Sequence, residues 1–340
     1  MFTGYNLKLN ESFFDDKVLD FDEYKEIGEK HLKNKINRYK SNLEKYVKTG
    51  TINGSKLQND IFPTVDADIF ISHSHKDKDL ANALAGWINE KFRLKVFIDS
   101  NVWGYAQELL EDINSVYSNK RENDNGGYTY NYQDCNNASQ HVNMMLSVAL
   151  QKMIDKVECI ILLNTDNSIS VFDEQNKKID ATYSPWIYSE IVCTQIVRKK
   201  PLLYYREYNE LSHAQEGVLF EQALNKLMVS YNISLQHLTD LCEEDLEKWI
   251  TAYEEDLYGN YNKYSLDALY SFKHPNEFKR AKEASCYLSY ESLNRLKAIV
   301  DGRCDHNSIV YLFEHEIYES NCAICQGRKC EYRYEGMKRQ

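Results

Sequence analysis

A carboxylate on an otherwise apolar helix face is the first feature of this sequence that could do chemistry. Ser184 and Pro185 predict a helix start, because serine caps a first turn and proline lacks only an N–H without a helical partner. Trp186 and Glu190 are four residues apart and therefore share one face of that helix. Glutamate is seldom buried without a partner, so Glu190 is either paired, used in chemistry, or an ordinary surface residue near the helix start.

Polar loops follow three short apolar runs, and each run predicts a buried strand. The runs are 67–72, 94–99 and 158–163, and their loops are 73–79, 100–105 and 164–170. Helical stripes alternate with the strands, which implies a parallel α/β sheet with helices on its faces. Ligands of such sheets bind beyond the carboxyl ends of the strands, so we expect these loops and Glu190 to share one crevice.

The same stretches resemble the TIR (Toll/interleukin-1 receptor) domain. Residues 68–74 are similar to its first box, and 96–99 with the following loop resemble its second strand and BB loop. Residues 186–191 resemble the tryptophan–glutamate helix of TIR enzymes that cleave NAD. The resemblance implies a flavodoxin-like parallel sheet flanked by helices over residues 66–205, with an insertion at about 118–140. We predict a helical extension over residues 1–65 and a helical region over 206–340.

The resemblance implies an NAD glycohydrolase or cyclase that cleaves the nicotinamide–ribose bond. Its product would be ADP-ribose or a cyclic ADP-ribose-type signal, as in bacterial antiphage TIR proteins of the Thoeris type. Nicotinamide leaves NAD as a neutral base without protonation, so one carboxylate suffices where most glycosidases need two. Glu190 would be catalytic, NAD would be the substrate, and no further cofactor would be needed. The substrate contacts would come from His73, Ser74, Asp99, Ser100, Trp103 and Trp186.

Two other functions fit the same residues. A non-catalytic TIR adaptor would act by homotypic association through the 100–106 loop, and an enzyme could also form homo-oligomers through its TIR loops. A nucleoside hydrolase or deoxyribosyltransferase-like enzyme would also use a glutamate near such a loop. The presence of Glu190 together with Trp186 favours an enzyme over an adaptor.

Two sets of residues could instead bind a metal. One combines His73 and His75 with Asp77 and Asp79, although a loop does not guarantee that alternate side chains converge. The other lies near the C-terminus and has one C-x-x-C half of a zinc site, with free thiols as the alternative. Its residues are Cys304, His306, Cys322, Cys325 and Cys330.

Composition limits the class of protein. The formal net charge of −11 argues against nucleic-acid binding. The nine cysteines are an odd number and favour reduced thiols over a disulfide framework. Residues 1–11 lack the pattern of a signal peptide, and no apolar run approaches the roughly 20 residues that span a bilayer. We therefore expect a cytoplasmic protein without membrane segments.

Overall fold

The computed structural model divides the chain into two compact units, Met1–Lys199 with Leu211–Ile250, and Lys200–Glu210 with Thr251–Gln340. The structure describes residues 1–36, 47–48, 51–98, 100–123, 126–169, 171–172, 178–200, 202–206, 229–259 and 264–279. No helix of these residues is long and apolar enough to cross a membrane.

A five-stranded parallel sheet organises the first unit. In chain order its strands are β1 (Thr3–Leu7), β2 (Ile69–Ser72), β3 (Val96–Ile98), β4 (Cys159–Leu163) and β5 (Thr239–Leu241). Their spatial order is β5-β1-β4-β2-β3, and every neighbouring pair is parallel. The predicted α/β class with a parallel sheet flanked by helices is confirmed.

Helices of the first unit connect these strands. They are α1 (Phe21–Ile36), α2 (Gly54–Ile61), α3 (Lys78–Phe92), α4 (Ser100–Tyr117), α5 (Tyr132–Lys156) and α6 (Pro185–Ile196). Further along the chain are α7 (Leu203–Arg206), α8 (Glu243–Gly259) and α9 (Ser265–Lys273). Short 3-10 helices cover Glu11–Phe14 and His75–Asp77.

Four two-stranded antiparallel ribbons complete the described elements. They pair Val47–Lys48 with Thr51–Ile52, Arg121–Glu122 with Tyr128–Thr129, Val171–Phe172 with Lys178–Ile179, and Ala181–Thr182 with Tyr231–Asn232.

Helices cover both faces of the sheet. Phe70, Phe97 and Ile160 are register partners on one face, and they share a buried cluster with side chains of α5 and with Cys193 of α6. The alternate strand residues point to the other face, where α1 and α3 pack on each other. Strands buried on both faces read as continuous apolar runs, which is why 67–72, 94–99 and 158–163 were recognisable from sequence.

The predicted helical extension over residues 1–65 is wrong at its start, because Thr3–Leu7 is a fully buried strand between β4 and β5. Its sequence, TGYNL, is neither an apolar run nor a clean alternation. Gly4 explains part of this composition, since a Cβ there would lie 2.6 Å from Leu238 Cδ2 and 2.9 Å from Ile160 Cγ2. A strand that contains glycine because a neighbour approaches closely shows little of the apolar periodicity by which strands are recognised in a sequence.

The far edge of the sheet also differs from expectation. The sequence of 201–205, one proline followed by apolar and aromatic residues, suggests a last strand, but Leu203–Arg206 is helical and the edge strand is Thr239–Leu241. That strand lies inside the region 206–340 that is predicted to be helical, and the helix that follows it begins at Glu243. Three residues are too few for a strand period to stand out against a following amphipathic helix.

Two predicted loops are largely helical. The expected loop 100–105 begins α4, which starts at Ser100. The expected insertion at 118–140 contains one ribbon and then the first turns of α5, where the Asn131 side chain accepts from the Asp134 N–H as an N-cap. Within residues 132–140 only Ala138 is buried, so these turns lack the continuous apolar stripe by which a helix is recognised in a sequence.

We expect Gly86→Ala to lower the free energy of unfolding by about 1–3 kcal/mol, because α1 and α3 touch backbone to backbone. A Cβ on Gly86 would lie 1.9 Å from the Tyr24 carbonyl oxygen. The strain should exceed the gain of roughly 1 kcal/mol that alanine normally gives in a helix. Urea unfolding measures the difference, and Gly127→Ala is the control because its Cβ would meet nothing closer than 4.0 Å. A Gly86→Ala protein as stable as the wild type would contradict the close contact.

Candidate functional site

Helix α6 begins as its sequence predicts. The Ser184 side chain accepts a hydrogen bond from the Ile187 N–H at 3.3 Å, and Pro185 occupies the first helical position. Ile187 and Ile191 then pack with Leu162 of β4 in a buried apolar cluster. This packing holds the face of α6 that carries Glu190 against the sheet, near the carboxyl ends of its central strands.

Glu190 meets the end of β2 directly. Ser72, the last residue of that strand, donates its Oγ hydrogen to Glu190 Oε2 at 2.6 Å, and this bond is buried. Glu190 is 2% exposed and Ser72 is 1% exposed. The sequence left open that Glu190 is an ordinary surface residue, and its burial shows that this alternative is wrong. The charge-assisted bond is of the strong kind, which offsets part of the cost of removing a carboxylate from water.

Ser72 was not among the predicted site residues. The sequence does carry one sign that Ser72 belongs to the site. It is a hydroxyl residue at the end of an apolar run, immediately before His73. Pairing it with a glutamate far along the chain needed the position of α6 over β2, which sequence spacing does not provide.

His73 lies beside this pair and is fully buried. Burial lowers the pKa of its imidazole to about 4, although the nearby carboxylates of Glu190 and Asp77 act in the opposite direction. The imidazole is therefore neutral at physiological pH. His73 cannot then supply the positive charge that a phosphate contact would use, and its predicted contact with the substrate stays a prediction.

The other residues of the predicted site divide into placed and undescribed ones. Ser74 is half-buried in the loop after β2. Trp186 is half-buried and packs on the cluster that Phe70, Phe97 and Ile160 form with side chains of α5. Asp99 and the side chains of Ser100 and Trp103 lie outside the described residues, so their predicted contacts stay predictions. The zinc candidates Cys304, His306, Cys322, Cys325 and Cys330 also lie outside them.

The loops after β2 and β4 are tied together by one carboxylate. Asp77 accepts hydrogen bonds from Thr165 Oγ1 and from Asn167 Nδ2, the latter at 2.6 Å. Asp79, the other acid of the suggested metal set, pairs instead with Lys25 Nζ at 2.7 Å. The His73–Asp79 residues thus do not converge, and no group of three His, Cys, Asp or Glu in the described chain is placed to hold a metal.

A segment just before β5 covers the outer side of α6. The rings of Tyr188 and Tyr231 stack with their centroids 4.8 Å apart, and Gln195 Nε2 donates to the Ser234 carbonyl at 3.1 Å. Thr194 Oγ1 lies 2.7 Å from His237 Nε2 and donates its own proton to the Ile191 carbonyl, so it accepts from the imidazole N–H. The segment therefore fixes α6 from outside, as Ser72 does from inside.

The comparisons with known proteins identify no relative. No protein-family model, no curated protein and no solved structure matches this chain.

His73 predicts a specific dependence of stability on pH. Its pKa is about 4 when folded against the usual 6.5, so the unfolded state binds more protons between those values. Stability should be full above pH 6.5 and fall as the pH drops toward 4, by about 2 kcal/mol at pH 5 from this group alone. We expect His73→Asn to reduce this loss in urea unfolding at pH 7.5 and pH 5, and the exposed-histidine variant His141→Gln to keep it. Equal pH dependence in wild type and His73→Asn would disprove this role of His73.

Proposed function

We propose that the protein is a TIR-type NAD glycohydrolase or cyclase. The proposal rests on one observation above all: Glu190 is a buried carboxylate, held by Ser72 at the carboxyl edge of a parallel sheet. Carboxyl edges are where α/β sheets bind ligands, and a buried charge is costly unless it is paired or used. The sequence resemblance to TIR enzymes supplies the substrate class. Cytoplasmic location and a role in antiviral defence are part of the same proposal.

The chemistry needs negative charge beside the anomeric carbon. When the C–N bond breaks, its electron pair leaves with nicotinamide, and the ribose develops oxocarbenium character. Glu190 stabilises that cation electrostatically or adds to it as a nucleophile. Water attack, with loss of one proton, gives ADP-ribose. Attack by a hydroxyl or a ring nitrogen of the same molecule gives a cyclic product.

The neighbours of Glu190 suit this role. Ser72 fixes one carboxylate oxygen through a short hydrogen bond and so limits reorganisation during the reaction. His73 lies next to Glu190 and is neutral. A positively charged imidazole at this position would weaken the electric field of Glu190 at the developing cation. Cys193 is one turn further along α6, and burial raises the pKa of its thiol to about 11, so it stays uncharged.

Access to Glu190 requires movement. The side chain is 2% exposed, so a substrate reaches it only if neighbouring groups shift. An enzyme that is activated by assembly would meet this requirement, because association can stabilise a conformation in which the carboxylate is open. Homo-oligomerisation through the segment 100–105 is the form of assembly that we propose.

We expect Glu190→Gln to lower the rate of NAD cleavage on the order of 10²-fold or more. This is the scale of the effect when one preorganised electrostatic contact is lost. Glutamine keeps the shape and can still accept from Ser72, but it carries no charge. The measurement is nicotinamide release by mass spectrometry, with purine nucleosides assayed in parallel. Cleavage of nucleosides but not NAD would favour the nucleoside hydrolase or deoxyribosyltransferase alternative.

The matched control is Glu108→Gln, which removes an exposed carboxylate on α4 and should leave turnover close to the wild-type rate. A folded Glu190→Gln protein that cleaves NAD at the wild-type rate would refute the catalytic assignment. Absence of turnover in every sample, together with association of the wild type, would favour the adaptor function.

Assembly makes a separate prediction. Trp103 and Tyr105 are large aromatic residues near the start of α4, a composition typical of interface anchors. We expect Trp103→Ala to shift light scattering toward smaller species and to remove the dependence of specific activity on protein concentration. Tyr130→Ala, at an exposed tyrosine after the ribbon, is the control and should behave as wild type. Unchanged assembly and unchanged concentration dependence in folded Trp103→Ala would exclude this interface.

A further inference from the structure

The topology creates a second crevice at the carboxyl edge of the sheet. After β1 and β2 the chain continues into α1 and α3, which pack together on one face. After β4 it continues into α6, which packs with α5 on the opposite face. β4 lies between β1 and β2 in the sheet. The chain therefore leaves β4 toward one face of the sheet and leaves each of its two neighbours toward the other face. Such switch points form ligand crevices, and Glu190 lies at the one between β4 and β2.

Polar side chains mark the second crevice as well as the first. Ser72, Leu162, Asn6 and Asp240 are successive register partners across four strands, so they point to the same face of the sheet as the Ser72–Glu190 bond. Ser72 and Asn6 are two strand spacings apart, about 10 Å. The polar group around Asn6 is thus one crevice along from Glu190, separated from it by an apolar leucine.

Three side chains form a directed chain of hydrogen bonds in this crevice. Asn6 Nδ2 donates to Asp240 Oδ1 at 2.8 Å, and Asn164 Nδ2 donates to Asn6 Oδ1 at 2.8 Å. The direction is set by chemistry, because an ionised carboxylate only accepts and therefore fixes which end of each amide faces its neighbour. Asn164 Oδ1 is left as the terminal acceptor, and no described side chain donates to it.

The surroundings select what such an acceptor binds. The chain of bonds begins at the exposed Asp240, passes through the buried Asn6 and ends at the half-buried Asn164, which solvent and ligands can reach. A carboxylate and a side-chain carbonyl oxygen without a donor repel phosphate oxygens and attract hydroxyl donors. In a dinucleotide bound with one ribose at Glu190, the next part that carries hydroxyl donors beyond the pyrophosphate is the other ribose.

On this basis we propose that Asn164, oriented by Asn6 and Asp240, binds the adenosine ribose hydroxyls of NAD and excludes a phosphate at that ribose. The inference rests on the proposed function for the identity of the dinucleotide. It makes the group a specificity determinant for NAD over NADP. Asn6 and Asp240 act through Asn164 and are positioning residues.

The test measures equilibrium binding of ADP-ribose and of its 2′-phosphorylated form by calorimetry, beside NAD turnover. The wild type should bind ADP-ribose at least about 10-fold more tightly than the phosphorylated form. Asn164→Leu should weaken ADP-ribose binding on the order of 10-fold, as expected for loss of a hydrogen bond to a polar ligand group. It should raise KM for NAD with little change in kcat, because the contact is remote from the bond that breaks.

Asp240→Asn is the second variant, nearly identical in shape, and it should reduce discrimination against the 2′-phosphate. Asp16→Asn, at an exposed carboxylate in the turn after the first 3-10 helix, is the control for net charge and should change neither affinity. Circular dichroism checks that each variant is folded. If Asn164→Leu does not fold, the discrimination shown by Asp240→Asn decides the matter.

The outcomes separate this inference from the proposed function. ADP-ribose binding without NAD turnover would refute the function, while the affinities of the variants would still judge the subsite. NAD turnover with unchanged affinities, KM and discrimination in both variants would overturn the subsite and leave the function standing. A wild type that binds neither ligand would overturn the subsite.

Discussion

The hydrogen bond between Ser72 and Glu190 is the constraint on which this site depends. It joins the last residue of a central strand to a helix that follows a different strand, so it forms only when β2, β4 and α6 are all in place. A carboxylate with 2% exposure would be destabilising without such a donor. Apolar packing of Ile187 and Ile191 on Leu162 sets the distance, and Ser72 then satisfies one carboxylate oxygen.

The same constraint explains why the surrounding residues are uncharged or already bonded. His73 is neutral because burial outweighs the attraction of two nearby carboxylates for its proton. Asp77 has its negative charge satisfied by Thr165 and Asn167, away from Glu190. The described neighbours of Glu190 thus include a neutral imidazole, and the nearby Asp77 carboxylate is bonded to other side chains.

Sequence reasoning found the parts of this arrangement that have local signals. Buried parallel strands give apolar runs, and Ser184 and Pro185 mark the residue at which α6 begins. It missed Thr3–Leu7 because TGYNL is neither an apolar run nor a clean alternation, and the close fit of Gly4 against Leu238 and Ile160 has no local signal. It also missed Ser72 as the partner of Glu190 and the Asn6–Asn164 contact, since both need the strand order, which no local pattern contains.

The place of β1 in the sheet has a consequence for folding during synthesis. Thr3 pairs with Cys159 and Tyr5 pairs with Thr239, so this strand leaves the ribosome long before its two partners are made. Closing such long loops is entropically costly before any contact rewards it, which slows folding. Until β4 appears, β2 and β3 can form only a partial sheet with an open edge at the position that β4 later fills. Chaperone dependence and aggregation of nascent chains should therefore be governed by the interval before residue 163 is made.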